Sequence, residues 1–150
     1  ADADLQVTLT EVRPDGKETY VQSGWLRGSY RKLDPSKSTE LLPIGSGLAV
    51  DQSPLPAGEF TPVRLAIYPF GHVFRAGSKV RIIITAPGGD RMAWSFQNLP
   101  GTPTNEIARS LGRPSSVVLP VVPGVAVPTG LPACPGLRAQ PCRTYAAPTS

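Results

Sequence analysis

The sequence predicts an all-β domain, on three observations. The chain holds 18 Pro and 15 Gly in 150 residues, nearly double the average share of ~12%, and they cut it into short pieces. Several of those pieces alternate apolar and polar residues with period two, the mark of a strand with one covered face. Hydrophobic residues make 40% and charged residues only 17%, a balance that favours a packed core over a solvated, disordered chain.

The first strand begins almost at once. Leu5, Val7 and Leu9 alternate with Gln6, Thr8 and Thr10, and Val12 extends the stretch on the opposite phase. Pro14-Asp15-Gly16 then reads as a turn: proline presets φ, aspartate bonds locally and glycine takes a positive φ. Glu18 to Gln22 reads as the return strand and Trp25 to Lys32 as another. Residues 33–58 form a long polar connection broken by Pro and Gly, with a short strand around Leu48 to Val50. Phe60 to Tyr68 resumes the alternation through Val63, Leu65 and Ile67. The strongest strand is Lys79 to Ala86, with Val80, Ile82 and Ile84 on one face and Arg81, Ile83 and Thr85 on the other. Trp94-Ser95-Phe96 is a short aromatic segment.

One short helix is expected from Asn105 to Leu111, capped by Thr104 or Asn105 and stopped by Gly112 and Pro114. Ser116 to Val122 is the last strand. Seven or eight such strands imply a β-sandwich or barrel, because each sheet must cover its apolar face with another. The expected organisation is a β-domain over 1–122 and a Pro/Gly-rich tail over 123–150.

Cys134 and Cys142 lie in that tail, and their spacing suits neither a CxxC redox pair nor half a zinc site. The natural reading is a local disulfide clipping a Pro-rich loop; the alternative is two unrelated thiols. A disulfide would favour an oxidising compartment. The chain opens Ala1-Asp2-Ala3-Asp4 and its strand pattern starts at Leu5, so the expectation is a secreted or extracytoplasmic bacterial protein, or a domain cut from a longer one.

Charge is uneven. Residues 1–60 carry six Lys/Arg against nine Asp/Glu, and residues 61–150 carry nine against two. The basic residues are scattered singly, without the clustering on one face that nucleic-acid binding requires. Docking against something acidic, such as another domain, fits them better. No apolar run approaches the ~20 residues of a membrane-spanning helix.

The residues of a self-sufficient enzyme are hard to assemble. Hydrolysis by a nucleophilic serine or cysteine needs a base beside it and a third group orienting that base. His72 is the single histidine, placed in a Pro69-Phe70-Gly71 loop, where a packing role is the expectation. Gly45-Ser46-Gly47 is a turn tripeptide without the strand-to-helix setting of a nucleophile elbow. Asp2 and Asp4 are expected at a frayed terminus, and Asp90 and Glu106 stand alone. No phosphate loop, metal-ligand spacing or other cofactor motif occurs.

Four segments read together carry a resemblance. They are Leu9-Thr10-Glu11-Val12-x-Pro14-Asp15-Gly16, Gly24-x-Leu26-Arg27-x-x-x-Arg31, Pro69-x-x-x-x-Phe74-x-Ala76-Gly77-x-x-Val80-Arg81-Ile82, and Arg113-Pro114-Ser115-Ser116-Val117-Val118-Leu119-Pro120-Val121. Over roughly residues 2–122 this resembles the C-terminal domain of X-Pro dipeptidyl-peptidases and cocaine-esterase-like hydrolases. The resemblance implies a jelly-roll sandwich, similar to galactose-binding-like modules, placed after an α/β-hydrolase domain that holds the whole Ser-Asp-His triad. No catalytic residue of the family falls in this chain. Relatives often carry histidine after the glycine of the third segment, where this chain has Ser78.

The matched positions read as architectural: Gly16, Gly24 and Gly77 as turns, Phe74 and Ile82 as core. Arg27, Arg31 and Arg81 could be solvated, paired across the sheet, or docked to the catalytic domain. The expected function is an accessory domain that braces and partly walls another domain's active site. The alternative is a carbohydrate-binding module of the same fold, stacking sugars on Trp25 and Trp94, with Tyr20, Tyr30 and Tyr68 as further rings. A third reading makes His72 the base of an independent esterase.

Overall fold

The computed structural model describes residues 2–88, 99–102, 104–135 and 141–148. Its elements are strands β1 (Asp4–Val12), β2 (Lys17–Arg27), β3 (Lys79–Thr85) and β4 (Cys142–Thr144), with two single 3-10 turns at Gly28–Tyr30 and Ala49–Asp51. The strands form one sheet in the order β3-β1-β2-β4. The fold is all-β. Contacts divide the chain into one unit of Ala1–Gln6, Gly24–Ala66 and Thr85–Val121 and a second of Val7–Ser23, Ile67–Ile84 and Val122–Ser150.

In the second unit the predicted turn joins β1 to β2 as a hairpin. The Arg13 amide donates to Lys17 O at 2.8 Å and the Gly16 amide to Arg13 O at 3.1 Å. Gly16 takes φ +76°, and the Asp15 carboxylate accepts the Lys17 amide at 3.1 Å and Arg13 NH2 at 2.7 Å. So short a connection permits only antiparallel pairing. β2 is a single long strand where two were expected. Ser23-Gly24 does not interrupt it, because Gly24 sits against the Ala66 carbonyl instead of turning.

The tail supplies β4, antiparallel to β2 with Lys17 opposite Thr144, Glu18 opposite Arg143 and Thr19 opposite Cys142. Cys134 and Cys142 form the expected disulfide, Cα atoms 5.6 Å apart.

In the first unit, Asp2 and Asp4 are held rather than frayed. Asp2 Oδ1 accepts the Ser29 amide at 2.7 Å, and the Gly28 amide donates to Ala3 O at 2.7 Å. The 33–58 connection is the expected irregular stretch, with one bridge between Leu33 and Gly45; Leu48 to Val50 leads into a 3-10 turn, not a strand. The Asn105–Leu111 helix does not form. Ile107 and Leu111 are exposed, so no apolar face is buried to stabilise seven residues that are too few to be helical alone. Among the described residues Phe60 to Tyr68 and Ser116 to Val122 form no strand, although the Tyr68 amide donates to Ser23 O of β2 at 3.2 Å. Trp94-Ser95-Phe96 and Asp90 lie outside the described residues.

Among the described residues the buried apolar side chains are Ala3, Leu9, Val12 and Val21, accompanied by a longer set of buried polar residues. Phe74 is half-buried and Ile82 is exposed at 37%, not core. On β3 the alternation holds but its sense is reversed: Val80, Ile82 and Ile84 face outward while Arg81 and Ile83 are half-buried.

Candidate functional site

β1 lies between β3 and β2 and is covered on both faces, so its polar face is buried as well. Buried polar atoms need partners, and β2 supplies them at matching intervals. Asp4 pairs with Arg27 (2.7 and 3.0 Å), Gln6 Oε1 accepts Trp25 Nε1 at 2.7 Å, and the Thr8 and Ser23 hydroxyls meet at 2.9 Å. Each step of two along β1 answers a step of two back along β2, the cross-strand pairing of an antiparallel ladder.

At the hairpin end of this face lies Glu18, its side chain 1% exposed. Thr10 Oγ1 donates to its Oε1 at 2.7 Å, Arg81 NH1 to both oxygens at 3.1 and 3.0 Å, and Arg143 Nε to Oε2 at 2.8 Å. Arg81 also stands over the Tyr145 ring at 5.3 Å. Three strands therefore meet on one carboxylate. Burial pushes the Glu18 pKa up, but the bonds from Arg143 and Thr10 and the two guanidinium charges outweigh it and hold the carboxyl below its usual range.

Glu11, on the same hairpin, gathers the chain's single histidine and a serine. His72 Nε2 lies 2.8 Å from its Oε2, and Ser78 Oγ donates to its Oε1 at 2.5 Å. His72 meets the Phe74 ring edge-on at 4.7 Å. Burial raises the Glu11 pKa; Ser78, His72 and the Arg75 amide together lower it further, so the carboxyl again falls below its ordinary value. Serine, acid and histidine are thus together, but in the wrong order for acyl transfer. A nucleophilic serine needs the imidazole on its own Oγ, with the acid behind the ring. Here the carboxylate stands between them, and a carboxylate whose pKa is lowered is a weak base for the serine proton. The cluster ties residues 72–78 to β1.

The other residues singled out in the sequence are placed as follows. Arg27 pairs with Asp4, and Arg81 with Glu18. Arg31 NH1 donates to Gly28 O at 3.1 Å and Ser53 O at 2.5 Å. Trp25 is half-buried with its indole N–H donated to Gln6, which does not match an open stacking platform; Trp94 lies outside the described residues. The sequence names Glu11 only within a matched motif and Glu18 only as the start of a strand, gives neither a role, offers no signal for Arg143, and marks Ser78 only as a departure from an expected histidine. Among the described residues no three His, Cys, Asp or Glu side chains come together in a way that could hold a metal, and no helix is long and apolar enough to cross a membrane.

Residues 1–117 match the family described as the X-Pro dipeptidyl-peptidase C-terminal non-catalytic domain. Curated proteins similar to the chain include those named "Putative serine esterase" in Mycobacterium bovis and in Mycobacterium tuberculosis. Each is 32% identical over 125 residues, which is 81% of this chain and 19% of the relative. The chain thus spans about a fifth of the length of the curated relatives it matches. No solved structure matches it.

Proposed function

The chain belongs to the X-Pro dipeptidyl-peptidase C-terminal non-catalytic domain family, and from that premise we propose that it serves as the accessory β-domain of a secreted serine hydrolase of peptidase or esterase type. Its role is to brace, and partly to wall, an active site whose triad lies in a separate α/β-hydrolase domain. The observation that carries this reading is the wiring of Glu11. The histidine and the nearby serine are spent on one buried carboxylate, so the imidazole nitrogen that faces Glu11 holds a loop in place, and Ser78 is bonded to the acid and not to the ring. The disulfide supports the extracytoplasmic part of the proposal, since such bonds persist in oxidising compartments.

Docking by Arg27, Arg31 and Arg81 is part of the proposal in a restricted form. Each already binds an acceptor inside the chain, so each would present to a neighbouring domain a guanidinium whose direction the fold has already set.

A fluorophosphonate probe tests the reading. The chain alone is expected to give no adduct by intact mass, while a longer protein containing it is labelled at a serine outside these residues. Labelling of Ser78, or of any serine of this chain, overturns the proposal.

A further inference from the structure

The tail beyond residue 117 lies outside the family match, yet it closes one edge of the sheet, and it does so with two arms that meet at the disulfide. The first arm lends backbone carbonyls to buried or half-buried arginines: Gly130 O accepts Arg75 Nε at 2.6 Å and Pro132 O accepts Arg13 NH1 at 2.9 Å. The second arm lies on β2. The Tyr20 amide donates to Pro141 O at 3.0 Å, the Tyr145 amide to Gly16 O at 2.9 Å, and Arg143 to Glu18 at 2.8 Å. Cys134 ends the first arm and Cys142 opens β4 in the second.

We propose that this disulfide is a redox-controlled clasp: oxidised, it holds β4 on the β2 edge; reduced, it lets β4 leave while the rest of the sheet stays folded. A three-residue strand has few bonds with which to offset the entropy of ordering it. The cross-link ties it to an arm anchored elsewhere, which keeps the strand at high local concentration beside its partner. Both cysteines are half-exposed, so a thiolate can reach them.

The reductant is a dithiol. One thiolate attacks a sulfur of the Cys134–Cys142 bond, forming a mixed disulfide and releasing the other cysteine. The second dithiol sulfur then displaces the first cysteine. Two protons and two electrons end on the cysteines, and the dithiol leaves as its cyclic disulfide. When β4 departs, Glu18 loses Arg143 but keeps Arg81 and Thr10, and the β2 edge from Lys17 to Thr19 becomes available to another strand.

Hydrogen exchange on the 150-residue chain, before and after dithiothreitol, tests the clasp, with free thiols verified by a mass gain of two hydrogens. The Tyr20 and Tyr145 amides are expected to exchange about tenfold faster or more after reduction, since sub-global opening sets their protection. The Gly28 amide, bonded to Ala3 O, should keep its rate. Unchanged exchange at Tyr20 and Tyr145 with both thiols free overturns the proposal. So does loss of protection at Gly28 as well, because the disulfide would then be holding the whole fold. The Cys134→Ser, Cys142→Ser double variant must reproduce the reduced pattern.

Discussion

Two glutamates with almost no exposed surface sit on one hairpin, and an isolated buried carboxylate would be expensive. Each is tolerated because every oxygen has a donor: Thr10, Arg81 and Arg143 around Glu18, Ser78 and His72 around Glu11. Neither was legible in the sequence, where a glutamate on a strand reads as a solvated face. Only the arrival of β3 and β4 at Glu18, and of the 72–78 loop at Glu11, reveals that both positions are covered. Both carboxyls lie below the ordinary glutamate value of 4.5 in the folded chain. A lowered folded pKa means that the stabilisation is present above about pH 4.5 and is lost as pH falls through the folded values. The urea midpoint should therefore stay nearly level from about pH 7 to 5 and drop below that. The Glu11→Gln, Glu18→Gln double variant should start lower and show a shallower acid limb. An acid limb as steep as the parent's would remove these two residues as its cause.

Local patterns specified the elements whose partners are near in sequence. β1, the Pro14-Asp15-Gly16 turn and the start of β2 form where the alternation and the turn residues place them, because a hairpin needs only contacts a few residues apart. The alternation of Phe60 to Tyr68 also reports something real over part of its length: Val63, Leu65 and Ile67 are half-buried, and Pro62 and Arg64 on either side of Val63 are exposed. Periodicity records which side chains are covered and is silent on whether the backbone finds a ladder. For the same reason β3 could be foreseen as a strand but not that its arginine would face inward. Gly24 is the position where an element depends most on a close approach. An added Cβ would stand 1.9 Å from the Ala66 carbonyl oxygen, a backbone atom that cannot rotate away. Gly77 differs, since its φ is +82° but an added Cβ meets Pro14 no closer than 3.4 Å. Gly24→Ala should cost about 3 kcal/mol through overpacking, and Gly77→Ala about 1 kcal/mol through the left-handed backbone alone. Equilibrium denaturation giving the opposite order would refute the close-approach argument.

At the scale of the whole molecule, the sequence invites a boundary at 122, where strand-like alternation stops and Pro/Gly-rich chain begins. The structure joins the tail to the second unit, through bonds that no composition could announce. The attachment is polar in kind. Val121, Val122, Val125 and Val127 are exposed at 83%, 76%, 65% and 52%, so apolar burial contributes little there. What the tail provides is β4, Arg143 for Glu18, and two carbonyls that accept from Arg13 and Arg75. Arg13 is 5% exposed, and without Pro132 O one of its donors would be left unsatisfied in a buried setting, which costs more than the bond itself is worth. Truncation after Val122 should therefore lower stability by about 2–3 kcal/mol, or Tm by roughly 5–10 °C. Opening the disulfide in the full chain should lower it less, because Gly130 and Pro132 then remain in place. If the shortened chain melts where the full chain does, residues 123–150 are an appendage and the domain ends where the alternation does. If instead it melts lower than the reduced full chain, the carbonyls of the first arm are what the fold needs from its tail, and β4 is the part it can release.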